Sequence, residues 1–177
     1  MQHIADETLM ERIKTAQDRE AFTMLMNRHK THAYRLALQL TGDHDEAMDC
    51  AQEAFVKVFT RARRYEDGRQ FWPWFVGILR NTVRMLRRTT WRRRKAGAEE
   101  LIAGLPDHCD DPEAAARAAE LWRRLFALPP KLREVMVLRH QEGFNYEQIA
   151  AVLGVSVNTV ASRLHAARQR LAQDHEM

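Results

Sequence analysis

Between Asn145 and Leu171, short polar and cationic side chains recur at helical spacing: Ser156, Asn158, Thr159, Ser162, Arg163, His165 and Arg168. Side chains of this kind hydrogen-bond base edges or hold phosphates when a helix presents them to a groove. A second stretch packs four aromatics, Phe71, Trp72, Trp74 and Phe75, into five positions, and Arg80, Asn81, Arg84 and Arg88 follow. Rings beside cations suit unstacked bases: the rings stack and the cations hold the backbone. Four such rings cannot all face one core stripe. Phe75 and Ile78 are expected inside and Trp72 most exposed. From Arg80 to Lys95 there are eight cations and no acid. A solvated helix mixes signs, so this stripe argues for a polyanion partner.

Other reactive side chains carry less. His29 and His32 are close enough on a helix to share a metal, but a core-edge His beside a surface His is the better reading. His108-Cys109 lies in a polar stretch, and Cys50 falls on an apolar face where a packed, inert thiol is expected. There is no Gly-rich phosphate loop and no nucleophile motif, so no catalytic residue, metal or cofactor is assigned. A nucleic-acid enzyme has no recognisable constellation here.

Composition narrows the class. The chain has 177 residues, a net charge of +4 and a sequence pI of about 9.4. No apolar run has the length of a membrane span. The start, MQHIADETLMERIK, lacks the apolar centre of a signal peptide, so a cytoplasmic location is expected. Two cysteines, Cys50 and Cys109, are too few for a disulfide framework.

The elements that must position these residues are helices. Gly and Pro are scarce, and no run alternates with the period of a strand. A first helix follows Asp6, with Leu9, Ile13 and Ala16 on one face. A second starts near Asp18, its stripe running Phe22, Leu25, Met26, His29, Ala33, Leu36, Ala37 and Leu40. Gly42 ends it, and Asp43 with Glu46 has the pattern of a capping box. The third helix points Ala47, Cys50, Ala51, Ala54, Phe55, Val58 and Phe59 inward and shows Asp45, Glu46, Asp49, Gln52 and Glu53 outward. After a turn at Asp67-Gly68, the fourth helix spans Phe71 to Arg94. Pro73 is harmless in its first turn. Gly77 inside it answers either to a close packing contact or to a close DNA backbone. Periodicity fails over 96–111, where acids gather, and this reads as a linker. Asp111-Pro112 restarts helix, Pro129-Pro130 breaks it, and another helix begins at Lys131. The fold class is all-α: two small helical domains joined by a flexible acidic linker.

The last pair of helices has a specific form. Asn145 caps the first, with Gln148 at its third position, and Ile149, Ala150, Val152 and Leu153 form its buried side. Gly154 supplies the tight turn. Ser156 caps the second, with Val160, Leu164, Ala167 and Leu171 inward. This is the spacing of a helix-turn-helix whose second helix enters a major groove.

Taken together, the chain resembles a bacterial sigma factor of the extracytoplasmic-function group of the sigma-70 family. DHDEAMDCAQEAFVKVFTRARRY at 43–65 is similar to the family's core-polymerase-binding helix. FWPWFVGILRNTVRMLRR at 71–88 is similar to its −10 melting and recognition helix. The stretch 128–171 is similar to its −35-binding domain. The resemblance implies domains at 1–95 and 112–177 with a linker at 96–111. It also implies three partners: core RNA polymerase, promoter DNA and a controlling anti-sigma factor. By the same resemblance, Asp45, Asp49, Gln52, Glu53 and Phe55 would dock on core polymerase. Arg80, Asn81, Arg84 and Arg88 would contact the −10 element beside Phe71, Trp72 and Trp74, and the loop with Asp67, Arg69 and Gln70 would hold a flipped base. Arg139, Tyr146, Glu147, Ser156, Asn158, Thr159, Ser162, Arg163, His165 and Arg168 would serve the −35 element. Ala161 and Ala166 stand where family members often carry a basic residue, and Met85 where a polar one is common. Two duplex sites about two helical turns apart lie roughly 70 Å from each other. A linker of about 16 residues spans on the order of 50 Å when extended. One compact domain could not reach both. A helix-turn-helix repressor or activator with an N-terminal dimerisation domain is the competing reading, and it leaves the aromatic and basic helix without a task.

Overall fold

A computed structural model describes residues 4–94 and 112–173, and among them the only regular elements are helices. The chain divides into two units, Met1–Glu99 and Glu100–Met177. The stretch read as a linker, with Asp111, His108 and Cys109, lies outside the described residues.

The first unit holds α1 (Asp6–Ala16), α2 (Arg19–Thr41), α3 (His44–Thr60), a 3-10 turn (Ala62–Arg64) and α4 (Phe71–Arg94). Each helix boundary has a local cause. The Asp18 carboxylate caps α2 by accepting the N–H groups of Glu20 and Ala21 at 2.9 and 3.0 Å. Gly42, at φ 82°, closes α2 in the left-handed region. The Asp43 carboxylate then accepts the Glu46 N–H at 2.8 Å to start α3. The core is shared by all four helices: Leu9, Met10 and Ile13 of α1, Leu25 and Leu36 of α2, Phe55 and Val58 of α3, and Phe71, Phe75 and Leu79 of α4 are buried. Fully burying an apolar side chain of this size stabilises by about 1.5–3 kcal/mol.

Three expectations are corrected at the edge of this core. Ala16 is exposed rather than in line with Leu9 and Ile13, because α1 ends there and Gln17 reverses the chain at φ 53°. Phe22, Met26 and His29 are half-buried on the rim of α2, as is Phe59 on α3. Ile78 is half-buried while its neighbour Leu79 takes the core position.

The second unit holds α5 (Pro112–Ala127), α6 (Pro130–His140), α7 (Tyr146–Leu153) and α8 (Val157–Gln173). Its core is Val135, Leu138, Phe144, Ile149, Leu153, Val160, Leu164 and Ala167. One cation is built into it. Arg133 is 7% exposed, donates to the carbonyls of Phe126 and Leu128 at 3.3 and 3.4 Å, and lies 3.9 Å over the Phe126 ring. It thus satisfies carbonyls at the C-terminal end of α5, where a cation is favoured. No single described helix is long and apolar enough to cross a membrane.

Two glycines predict opposite results. A Cβ on Gly77 would meet nothing within 4 Å, so no packing contact requires a glycine there. Gly154 sits at φ 65°, a conformation that strains any side chain. Gly77→Ala is therefore expected to stabilise the chain by up to about 1 kcal/mol, and Gly154→Ala to destabilise it by about 1 kcal/mol or more. Urea unfolding of both variants checks this, and a loss of stability in Gly77→Ala would contradict it.

Candidate nucleic-acid interface

The rotation of α4 about its axis decides what it can offer. Phe71, Phe75, Leu79, Thr82 and Val83 are buried, at spacings of three and four. Phe75 packs on Phe55 with ring centroids 4.7 Å apart. From α3, Lys57 donates to the Thr82 hydroxyl at 3.0 Å. With that side inward, the opposite side carries Trp74, Gly77, Asn81, Arg84 and Arg88, again at spacings of three and four, with Arg80 at its border. Asn81, Arg84 and Arg88 are exposed; Trp74, Gly77 and Arg80 are half-exposed. Arg87 is directed elsewhere and donates to the Leu40 carbonyl at the end of α2.

This geometry corrects one ring assignment. Phe71 is 1% exposed and cannot meet a base, since it is part of the core. Trp72 is half-buried, as is Trp74. Trp72 stacks on His32 at 4.2 Å and on His29 and Phe75 at 5.2 and 5.3 Å. His29 is fixed in turn by Asp6, whose carboxylate lies 2.7 Å from Nε2 and also pairs with Arg28. The two histidines therefore serve a ring stack. Among the described residues no group of three or more His, Cys, Asp or Glu side chains converges as for a metal. Trp74 is the aromatic in line with the arginines, and the Tyr65 ring meets it edge-on at 5.0 Å.

Tyr65 also shapes the loop before α4. It is buried, its hydroxyl donates to the Arg69 carbonyl, and burial pushes its pKa up to about 12, so the proton stays. Gly68 takes the positive φ (79°) that the turn requires. Asp67, Arg69 and Gln70 are exposed. Lys14 of α1 reaches across to Asp67 at 2.5 Å.

In the second unit, α7 begins with a complete capping box. The Asn145 side chain accepts the Gln148 N–H at 2.8 Å, and the Gln148 side chain accepts the Asn145 N–H at 3.0 Å. After Gly154 the Val155 N–H returns to the Ala150 carbonyl at 3.1 Å, and the Ser156 hydroxyl accepts the Thr159 N–H at 3.2 Å. The axes of α7 and α8 turn by 102°, within the range of a helix-turn-helix. Asn158, Ser162, His165 and Arg168 are exposed on α8, while Thr159 and Arg163 are half-exposed. Val157 in the first turn is 38% exposed, an apolar contact that the sequence reading passed over. Glu147 is exposed and Tyr146 half-exposed. Arg139 is half-buried. It donates to the Phe144 carbonyl at 2.9 Å and lies 5.5 Å from the Tyr146 ring centre, so it braces the entry to α7.

On α3, Asp45, Asp49, Gln52 and Glu53 are exposed as expected. Phe55 is corrected: at 4% exposure it supports this face from below. Two apolar residues between the acids were missed. Met48 and Val56 are 50% and 53% exposed, and with Phe22, Met26, Tyr34 and Gln52 they line a groove of about 550 Å³ between α2 and α3. Their spacing from the acids, three or four residues, was a readable sign.

The ring assignments predict a difference in stability. Trp72→Ala removes three stacked partners and is expected to cost about 2–3 kcal/mol. Trp74→Ala, which removes an edge-on contact with Tyr65 and a more distant tilted one with Phe71, is expected to cost about 1 kcal/mol. Equal losses in urea unfolding would show that Trp74 belongs to the core.

Comparison with known proteins agrees with these two units. The family model for sigma-70 region 2 matches residues 25–93, and that for sigma-70 region 4 matches residues 118–171. The RNA polymerase sigma-H factor of Pseudomonas aeruginosa is 31% identical over 177 residues, covering 94% of this chain and 91% of that protein. The ECF RNA polymerase sigma factor SigE of Mycolicibacterium smegmatis is 36% identical over 151 residues, which is 83% of this chain, and the chain spans 58% of that protein's length. Among solved structures, CnrH in complex with the cytosolic domain of CnrY is similar over 98% of both chains, at 25% identity and a TM-score of 0.72. The chain belongs to the extracytoplasmic-function group of the sigma-70 family and is a sigma factor, directing promoter-specific initiation of transcription.

Proposed function

We propose that this sigma factor divides its task between residues 1–95, which bind core RNA polymerase and open the −10 element, and residues 112–177, which hold the −35 element, with 96–111 as the linker. The observation that carries the first half is the single face of α4 bearing Trp74, Gly77, Asn81, Arg84 and Arg88. Trp74 stacks on an unpaired base. The arginines, with Arg80, hold phosphates, and Gly77 lets the strand approach the helix closely. Asp67, Arg69 and Gln70 in the adjoining loop hold a flipped base.

In the second half, Asn158, Ser162 and His165 read base edges, and Val157 contacts a thymine methyl group. Ser156, Thr159 and the N-terminus of α8 meet phosphate, as do Arg163 and Arg168. Tyr146 and Glu147 lie at the groove edge, braced by Arg139. With Ala161 and Ala166 on α8, few cations back this reading, so the upstream contact is weak in charge.

Core polymerase docks on α3 through Asp45, Asp49, Gln52 and Glu53, with Met48 and Val56 supplying the apolar part. CnrH is complexed with the cytosolic domain of CnrY. By that likeness a protein partner, an anti-sigma factor, holds this chain inactive. The chain acts by binding rather than by catalysis, in the cytoplasm where polymerase and promoter are found.

Mixing the protein with core RNA polymerase should give promoter-dependent transcripts, and failure to bind core in a competent assay would sink the reading. Trp74→Ala is expected to slow open-complex formation about tenfold, as loss of one base–aromatic stack implies, while binding to −35 duplex is retained. Permanganate footprinting reads the first and a mobility shift the second. Gly77→Ala should slow opening too, despite its gain in stability. Glu53→Lys is expected to weaken core binding with DNA contacts intact.

A further inference from the structure

Helix α1 precedes the part of the chain matched by the region 2 model, which starts at residue 25. Nevertheless, it touches the opening element at three points. Asp6 fixes His29, which stacks on Trp72. The Glu7 carboxylate accepts the N–H of Phe71, the first residue of α4, at 3.4 Å. Lys14 pairs with Asp67 at 2.5 Å, across 53 positions of sequence. Leu9, Met10 and Ile13 seat α1 in the core with 0% exposure, so these contacts start from a fixed base.

Lys14 has a particular consequence. The Lys14 side chain is 23% exposed and Asp67 72%, so the acid stands out from the loop while the lysine rises from the body of the unit. Lys14 holds Asp67 through Oδ1, with Glu11 beside the pair. The hydrogen bond from Lys14 keeps the Asp67 carboxyl below the ordinary carboxylate range, so it stays ionised. An ionised carboxylate only accepts hydrogen bonds, so the base edge it meets must donate one. Adenine, cytosine and guanine offer an exocyclic amino group that stands clear of the ring, whereas thymine's one pairing-edge donor, N3–H, lies between two carbonyl oxygens that repel a carboxylate.

We infer that Lys14 is a positioning residue for base selection: it orients Asp67 so that the loop prefers a flipped base bearing an amino group. This rests on the reading of 67–70 as the base-holding loop. An exposed ion pair of this kind couples weakly, so the effect is a change in preference rather than loss of function.

The test uses reconstituted holoenzyme and forked promoter DNA. Each −10 position is replaced in turn by the four bases and by an abasic site. Asp67→Ala first locates the loop-held position as the one where base preference collapses. If it collapses at no position, the base-holding reading fails and the inference with it. At that position Lys14→Met is expected to reduce the preference for amino-bearing bases over thymine about two- to fivefold. Affinity for the abasic template should not change, and Lys14→Arg should restore the preference. Thermal unfolding and core affinity should match the parent protein, which separates positioning from folding. Unchanged preference in Lys14→Met overturns the inference. So does an equal loss on every template including the abasic one, because Lys14 would then be touching the strand itself.

Discussion

Packing of Phe71 against His29 of α2 and of Phe75 against Phe55 of α3 fixes the rotation of α4, and most of what the first unit can do depends on that rotation. The helix is basic and aromatic over much of its circumference, so composition alone permits several orientations. Burial of two phenylalanines, with Leu79 and Val83 below them, permits one. Turning α4 by a single residue, roughly 100°, in the sense that carries Phe71 and Phe75 outward would expose both to water, each at a cost of about 1.5–3 kcal/mol. The exposed set on α4 is thus selected by what must be hidden.

Charge then separates by face. The exposed side of α3 carries Asp45, Asp49 and Glu53, and the exposed side of α4 carries Asn81, Arg84 and Arg88. An acidic face repels phosphate and a basic one attracts it, so the two faces suit different partners. Met48 and Val56 give α3 an apolar contribution that charge alone would not. Surface ion pairs contribute little net energy, so stable docking needs desolvated apolar area as well. Interleaving acids with a groove supplies selectivity and adhesion on one helix.

The parts legible in the sequence are those set by neighbours along the chain. Asn145 with Gln148, Gly154 and Ser156 act within a few residues of themselves, and the helix-turn-helix follows from them. The same holds for Asp18, Gly42 and Asp43. The rotation of α4 was legible only in part: Phe75 reads as core and is buried, but Phe71, Trp72 and Trp74 are alike in hydrophobicity and the choice between them was made by α2 and α3. His29 and His32 read as a core-edge and a surface histidine, and nothing local says that a tryptophan some forty positions later stacks on them. Phe55 was placed both in the core and on the docking face, and only burial decides between those. Lys14 carried no signal, since an isolated lysine on a short helix has no periodicity to betray its partner.

The two units are suited to unequal work. A reading helix with alanines at 161 and 166 neutralises fewer phosphates, and phosphate neutralisation supplies much of the affinity for duplex DNA and its dependence on salt. Asn158, Ser162 and His165, in the base-reading role proposed for them, specify more than they hold. The face of α4 has the reverse balance: arginines for the backbone, one ring for stacking and few groups that read duplex edges. Joined in one chain, the second contact forms at the effective concentration set by the first. Weak upstream binding then becomes selective only where a −10 element can also be opened. On the proposed assignment, promoter choice is a property of the pair, and base identity enters the first unit at the Asp67 loop.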